Sequence, residues 1–375
     1  MHASANQGVQ GDVSRQIHAA RTISIFFMAY AHVSPGLTSA DFAAYGVREL
    51  DVFFLFASSI FAKSAVPLLS ILSGWLLCDT LKTRPFLTVV QGKAWTLLVP
   101  MVLWNAVLIA LIGIYAVLSG DRSELPREPL GWINSLFSLT ATPANIQLAF
   151  LRDLFVCAVI APGLLWAGQR FPSILLAALA AGAVFVETTW LILRPEIMLF
   201  FTIGLLLRAH AVRFDWIERS GASLVLAFAL SGTVLIYFQI QELSGLWQLP
   251  PWVYNTVVLA VRLTAALFFW WLAGAILRTA VSPIVMKAGR FVFIVFCTHM
   301  ILFKASGLVW RGEFGGYYGE WYRLYFIVQP LLAFAAGWAI YRTCEAVAPA
   351  LMPVLLGKRL SRHRGATMDR SAVKI

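Results

Sequence analysis

The chain has 375 residues, of which 60% are hydrophobic and only 13% charged, against about 25% charged in an average soluble domain. That balance excludes an ordinary soluble enzyme and points to a polytopic membrane protein. The net charge of +11 sits in short segments between apolar runs, which excludes a nucleic-acid-binding face.

Apolar runs of roughly 20 residues cross a bilayer as helices. Here they lie at 16–33, 60–81, 94–118, 147–168, 173–193, 196–212, 222–242, 253–277, 291–310 and 324–347. The predicted fold is all-α, with about ten transmembrane helices. Asp51 to Ile60 reads as an interfacial lead-in to the second helix. Residues 1–14 read as a polar cytoplasmic segment without the basic-then-apolar order of a signal peptide, so the first helix is expected to stay in the protein. Residues 15–347 form the membrane domain, and 348–375 a basic cytoplasmic tail touching anionic lipid.

Orientation follows from basic residues in the short loops. Lys82, Arg84 and Lys93 follow the second span, Arg208, Arg213 and Arg219 the sixth, and Arg278, Lys287 and Arg290 the eighth. The tail adds Lys358, Arg359, Arg362, Arg364 and Arg370. Intervening loops are neutral or acidic, with Asp41, Glu49 and Asp51, then Asp121, Glu124 and Glu128, then Glu187 and Glu242. Only the last outer loop departs, where Lys304, Arg311 and Arg323 outnumber Glu313 and Glu320. Both termini are therefore expected in the cytoplasm.

The first helix carries Arg21 and His32 with ten uncharged residues between them. Such a segment covers about 15 Å, half of the ~30 Å hydrocarbon slab, so the two cannot reach water at opposite interfaces. Eleven steps of about 100° return a helix to within ~20° of its starting heading. Arg21 and His32 thus stack on one face, turned toward a shared pocket, with His18 one turn below. Buried ionisable groups of this kind are functional by default, although an arginine near a span end also snorkels to the headgroups. His32, an imidazole, suits a general base taking a proton from a hydroxyl. Arg21 supplies a fixed positive charge for a phosphate or a developing oxyanion.

Further along, Arg152 and Asp153 lie about two turns into the fourth span. Adjacent helical side chains point about 100° apart, so each is expected to need a partner elsewhere. Either they form a structural ion-pair network, or they bind substrate, Asp153 orienting an imidazole or sugar hydroxyl and Arg152 holding an anion. Arg262 lies near the middle of the eighth span and His299 in the ninth, both substrate-binding candidates, as is His18. Lys63 and Lys304 read as lying near the outer interface. Asp153 is the one clear intramembrane acid, so a cavity built from these groups favours an anion, and ion-coupled cation transport is disfavoured. Ser70, Ser73 and Gly74 mark close helix packing. Cys78, Cys157, Cys297 and Cys344 are scattered, which predicts no disulfide and no metal site. No GxSxG, phosphate-loop or HExxH pattern is present, so any chemistry belongs to the membrane helices.

Arg21 and His32 are joined by AVPLLSILSGWLL (65–77), LRDLFVCAVIAPGLL (151–165), IMLFFTIGLLLR (197–208) and FIVFCTHMILF (293–303). In this order the segments resemble membrane acyltransferase family 3, a group of mainly bacterial carbohydrate O-acyltransferases, across residues 15–347. The resemblance implies a multi-pass inner-membrane enzyme without a bound cofactor. Such an enzyme moves an acyl group from cytoplasmic acyl-CoA (succinyl-CoA or acetyl-CoA) to a hydroxyl of a surface glycan or lipid-linked oligosaccharide. By the same resemblance Arg21 engages the donor and His32 is the catalytic base. The AARTISIFF and VPLLSILSGW regions look most like the subgroup that succinylates exopolysaccharides such as succinoglycan. Where many relatives carry an acid three residues before the arginine, this chain has His18, which leaves open what orients Arg21. The competing reading of the same cationic cavity is a transporter or flippase for an anionic or lipid-linked saccharide.

The predicted orientation is tested by reporter fusions. Alkaline phosphatase joined after Asp121 is expected to be active and joined after Lys358 inactive; the reverse pattern inverts the topology.

Overall fold

A computed structural model describes residues 2–33, 40, 43–44, 46, 49–186, 191–212, 214–313 and 319–358, without the side chains of 2–10, 49–50, 215 and 311–313. The described residues are helical and contain no strand. Seven helical runs are long and apolar enough to cross a membrane: 51–83, 86–119, 146–170, 221–243, 251–276, 292–310 and 322–347. The other three predicted spans are helical but fall outside that set. They are α1 (His2–Ala29), α8 (Pro172–Phe185, 14 residues) and α9 (Pro195–Ala209, 15 residues). The expected count of ten thus meets seven helices of spanning length and hydropathy among the described residues.

The reason is plainest in α1, which is a central post and not a lipid-facing wall. Its Ile17, Ala20 and Ile23 pack into one apolar core with Leu68, Val261 and Phe269, and its Ile25, Met28 and Ala29 into a second with Phe150 and Phe296. A helix enclosed by other helices tolerates polar side chains if they find partners. Buried Gln16 accordingly donates to the Trp270 carbonyl at 3.1 Å, and Thr22 to the His18 carbonyl at 3.0 Å. The helix begins at His2, well before the predicted boundary, and ends in a 3-10 turn, Tyr30–His32.

The expected interfacial lead-in is part of the second helical run. α2 (Glu49–Leu55) passes through a π turn at Phe56–Ile60 and a 3-10 turn at Phe61–Ser64 into α3 (Ala65–Thr83). π turns break the regular i to i+4 register and often sit at functional sites. Here the break re-aims Lys63 into the protein. Beyond it follow α4 (Phe86–Lys93), α5 (Val99–Ser119), α6 (Pro129–Phe137) and α7 (Ala149–Arg170). Then come α10 (Asp215–Arg219), α11 (Gly221–Leu243), α12 (Pro251–Ile276) and α13 (Ser282–Ala288). The last are α14 (Val292–Glu313), α15 (Tyr322–Val347) and α16 (Met352–Leu355). Proline in the first turn opens α8, α9 and α12, where its missing N–H has no helical partner to lose.

α9 is held against α3 by two glycines facing each other's backbone. A β-carbon at Gly74 would collide with the Phe201 carbonyl, and one at Gly204 with the Ile71 carbonyl. Gly74 thus acts as the predicted close-packing point. The contact is what carries the first turn of α9 to the functional site. Gly204→Leu is expected to separate the two helices, lower stability by about 1–3 kcal/mol and depress the melting temperature in detergent. An unchanged melt would remove this role from the glycines.

Candidate active site at the end of the first helix

His32 closes α1 and lines a small cavity of about 140 Å³ with Lys63, Gln147, Phe150, Arg194, Arg262 and Phe296. Two larger cavities adjoin it. One, about 560 Å³, shares Lys63, Arg194 and Arg262 with it and adds Glu196, Glu242, Tyr254 and Asn255. The other, about 420 Å³, shares Ala31 with the small cavity and is lined by Tyr30, Ser58, Ser59, Gln239 and Tyr322, with Glu242 and Tyr254 in common with the larger space. His32 therefore stands where a charged chamber and a hydroxyl- and phenol-lined chamber meet.

The charged chamber is organised by one ion pair. Glu196, in the first turn of α9, accepts from Arg262 at 2.9 Å, joining α9 to the middle of α12. A carboxylate there also meets the positive end of the helix dipole. Lys63 makes no hydrogen bond or ion pair among the described residues. Arg194 donates through its backbone N–H to Asp153 at 3.1 Å, and its side chain makes only a 3.5 Å contact to the Ile146 carbonyl. Two cations beside His32 thus have no ion pair of their own among the described residues, and they are not the arginines on which the expected anion-favouring cavity was argued, of which only Arg262 lines the chamber.

Three of these groups escaped the sequence reading. Arg194 and Glu196 stand where one predicted span gives way to the next and are not among the candidates above, and Lys63 reads as interfacial. The sequence signal was there in the Arg-Pro-Glu triplet opening an apolar run, where proline starts a helix and an acid in its first turn is favoured.

Arg152 and Asp153 correct an expectation. They do pair with each other, Arg152 Nη1 donating to Asp153 Oδ1 at 2.8 Å. The long arginine side chain curls across the angle between adjacent positions. Arg152 also donates to the carbonyls of Leu191 (2.7 Å) and Leu139 (2.9 Å), while Asp153 accepts from the backbone N–H groups of Leu193 and Arg194, each at 3.1 Å. Neither residue lines the three cavities. The pair is a clamp on the 191–194 backbone that leads into Arg194 and Glu196, the arrangement of the structural alternative.

Arg21 also departs from expectation. It shares the heading of His32, but lines none of these cavities. Ile25 and Met28, both on the intervening turns of the same face, are buried and fill the space between. Arg21 is half-buried and makes no hydrogen bond or ion pair among the described residues, with His18 and Lys358 within electrostatic reach of one another beside it. His18 is exposed, its ring packed against the turn at Gly289. His299, in α14, is buried with its ring centroid 5.3 Å from that of His32. Arg262 is at the site, held by Glu196.

No cluster of metal-ligating side chains occurs among the described residues, and the four cysteines are free thiols.

A family profile described as an acyltransferase domain matches residues 14–342. The succinoglycan biosynthesis protein ExoH of Rhizobium meliloti (strain 1021) is 26% identical over 373 residues, covering 96% of each chain. No solved structure matches the chain.

If Asp153 clamps backbone and does not touch substrate, Asp153→Asn should destabilise the protein. Losing one member of a buried pair costs about 3–5 kcal/mol, and the new amide would aim a donor at two N–H groups. The expected result is a lower melting temperature with unchanged KM for the surviving folded fraction; a KM effect with an unchanged melt would return Asp153 to the substrate.

Proposed function

This chain belongs to the membrane acyltransferase family matched over residues 14–342, and on that premise we propose that it acylates a sugar hydroxyl of an exopolysaccharide at the bacterial inner membrane. The donor is acyl-CoA, approaching from the cytoplasmic side, where both termini lie. The observation that carries the reading is the position of His32. It is the titratable base at the junction of two chambers, one able to hold an anion and one lined by groups that hydrogen-bond and stack on sugars.

Each residue has a task in this reading. Arg21, without an ion pair among the described residues and expected near the cytoplasmic face, meets the phosphates of the donor; a guanidinium suits them because it donates in a planar fork. The acyl thioester passes Ile25 and Met28, whose side chains must move aside, and reaches the 140 Å³ cavity. A saccharide, free or lipid-linked, enters the phenol-lined chamber. His32 takes the proton of its hydroxyl as the oxygen attacks the thioester carbonyl. Lys63 and Arg194 face the negative charge that develops, since Arg262 is committed to Glu196.

The same two cations favour a succinyl over an acetyl group. A succinyl chain ends in a carboxylate that can pair with them, whereas acetyl leaves them only the shared carboxylates of the chamber, Glu196 and Glu242, as counter-charge.

Purified protein with labelled acyl-CoA and the glycan is expected to release CoA and label the saccharide. His32→Ala should lower the rate ~10²–10⁴-fold, the range of a lost general base. Lys63→Met should lower kcat/KM for succinyl-CoA about 10-fold or more relative to acetyl-CoA, because a charge-assisted hydrogen bond contributes about 1.5–3 kcal/mol. Saccharide movement across vesicles without CoA release would instead support a flippase.

A further inference from the structure

We infer that His299 is a positioning residue for His32: its Nε2 accepts the N–H that His32 turns away from the acceptor hydroxyl. The inference rests on the acyl-transfer reading above and adds a second imidazole to it.

The tautomer of His299 is set by its own helix. Its Nδ1 lies 3.0 Å from the Val295 carbonyl oxygen. A carbonyl only accepts, so Nδ1 carries the hydrogen, and a neutral ring then presents an unprotonated Nε2. That nitrogen is fully buried and has no hydrogen-bond partner among the described residues. Buried polar atoms are as a rule paired, and an exception in a functional region calls for a donor; Oε1 of Gln147, a residue lining the His32 cavity, is another such atom, but an amide oxygen can only accept. Around the ring stand Phe296 and Phe303, which have nothing to donate, and His32, with ring centroids 5.3 Å apart. The two rings stand 5.3 Å apart at 41°, and rotation of the His32 ring about its Cβ–Cγ bond is the movement the inference requires to bring its N–H to Nε2. His299 itself lines none of the three cavities. It therefore acts through His32 and does not touch substrate.

A neutral acceptor fits this place better than a carboxylate would. The charged groups that face His32 are Lys63 from the turn after α2, Arg194 from the segment before α9, and Arg262 from α12 with Glu196 beyond it. A carboxylate placed among them would be drawn to the cations. An imidazole lone pair is not, and so stays available to His32.

In the reaction, the acceptor O–H bond breaks as its oxygen bonds to the thioester carbon, and the proton goes to the cavity-facing nitrogen of His32. The other N–H of the resulting imidazolium is held by His299 Nε2. When the C–S bond breaks, the proton passes from His32 to the departing thiolate. His299 neither gains nor loses a proton.

Two variants and one spectroscopic measurement test this. His299→Leu removes the acceptor, and His299→Gln places an amide oxygen close to the position of Nε2. We expect kcat to fall roughly 10²-fold in the leucine variant, with KM for donor and glycan within about twofold. The glutamine variant should recover about tenfold of that loss. The acid limb of the kcat–pH profile should move to lower pH in the leucine variant, because the imidazolium has lost its hydrogen-bond acceptor. In 15N-histidine spectra of the membrane-embedded protein, His299 should show protonated Nδ1 and an accepting Nε2 whose shift changes in His32→Ala. Equal losses in both variants, or an unmoved pH limb, would reduce His299 to a packing residue. A protonated Nε2 overturns the inference even if the wild type transfers no acyl group, an outcome that would by itself sink only the parent reading.

Discussion

The buried ion pair of Glu196 with Arg262, at 2.9 Å, sets the character of the cavities around His32. Four positively charged or protonatable groups (His32, Lys63, Arg194, Arg262) cannot share a cavity of low dielectric without some negative charge to offset them. Glu196, and Glu242 in the larger cavity, offset part of that charge, two carboxylates against the three cations Lys63, Arg194 and Arg262. The pair also ties two helices, since one partner opens α9 and the other lies in mid-span on α12.

Its placement depends on contacts further out. Gly74 and Gly204 let α9 lie directly on α3, where any side chain would collide with backbone. The Arg152–Asp153 clamp holds the backbone of 191–194, so that Arg194 and Glu196 leave the turn in defined directions. Charges buried for structure and charges exposed to a cavity thus sit within a few residues of each other. What separates their tasks is partner count. Asp153 accepts from Arg152 and two backbone N–H groups, whereas Lys63 has no partner among the described residues.

The first helix divides the protein along its length. Arg21 and His32 belong to the same face, yet buried Ile25 and Met28 part them. In an acyl transfer that draws its donor from one side of the membrane and its acceptor from the other, such an apolar interval has a use. In the proposed reaction it would deny water a path from the donor side to His32. Met28 is an unbranched, adaptable side chain and already borders the His32 cavity.

Much was legible in the residues alone. Long apolar runs bounded by basic loops determined an all-helical membrane protein, because a bilayer leaves the backbone few other solutions. The interval between Arg21 and His32 determined that both lie on one face, because helical periodicity is local geometry. Gly74 announced close packing. Pairing was a different matter. That Arg152 bonds its neighbour, that Glu196 meets Arg262 across helices 66 positions apart in numbering, and that His299 stands beside His32 are relations between helices or between rotamers, and no periodicity encodes them. The same holds for the cavities: a face can be read from spacing, but whether the space before it is open or filled by Met28 and Ile25 is decided only when the other helices close around it.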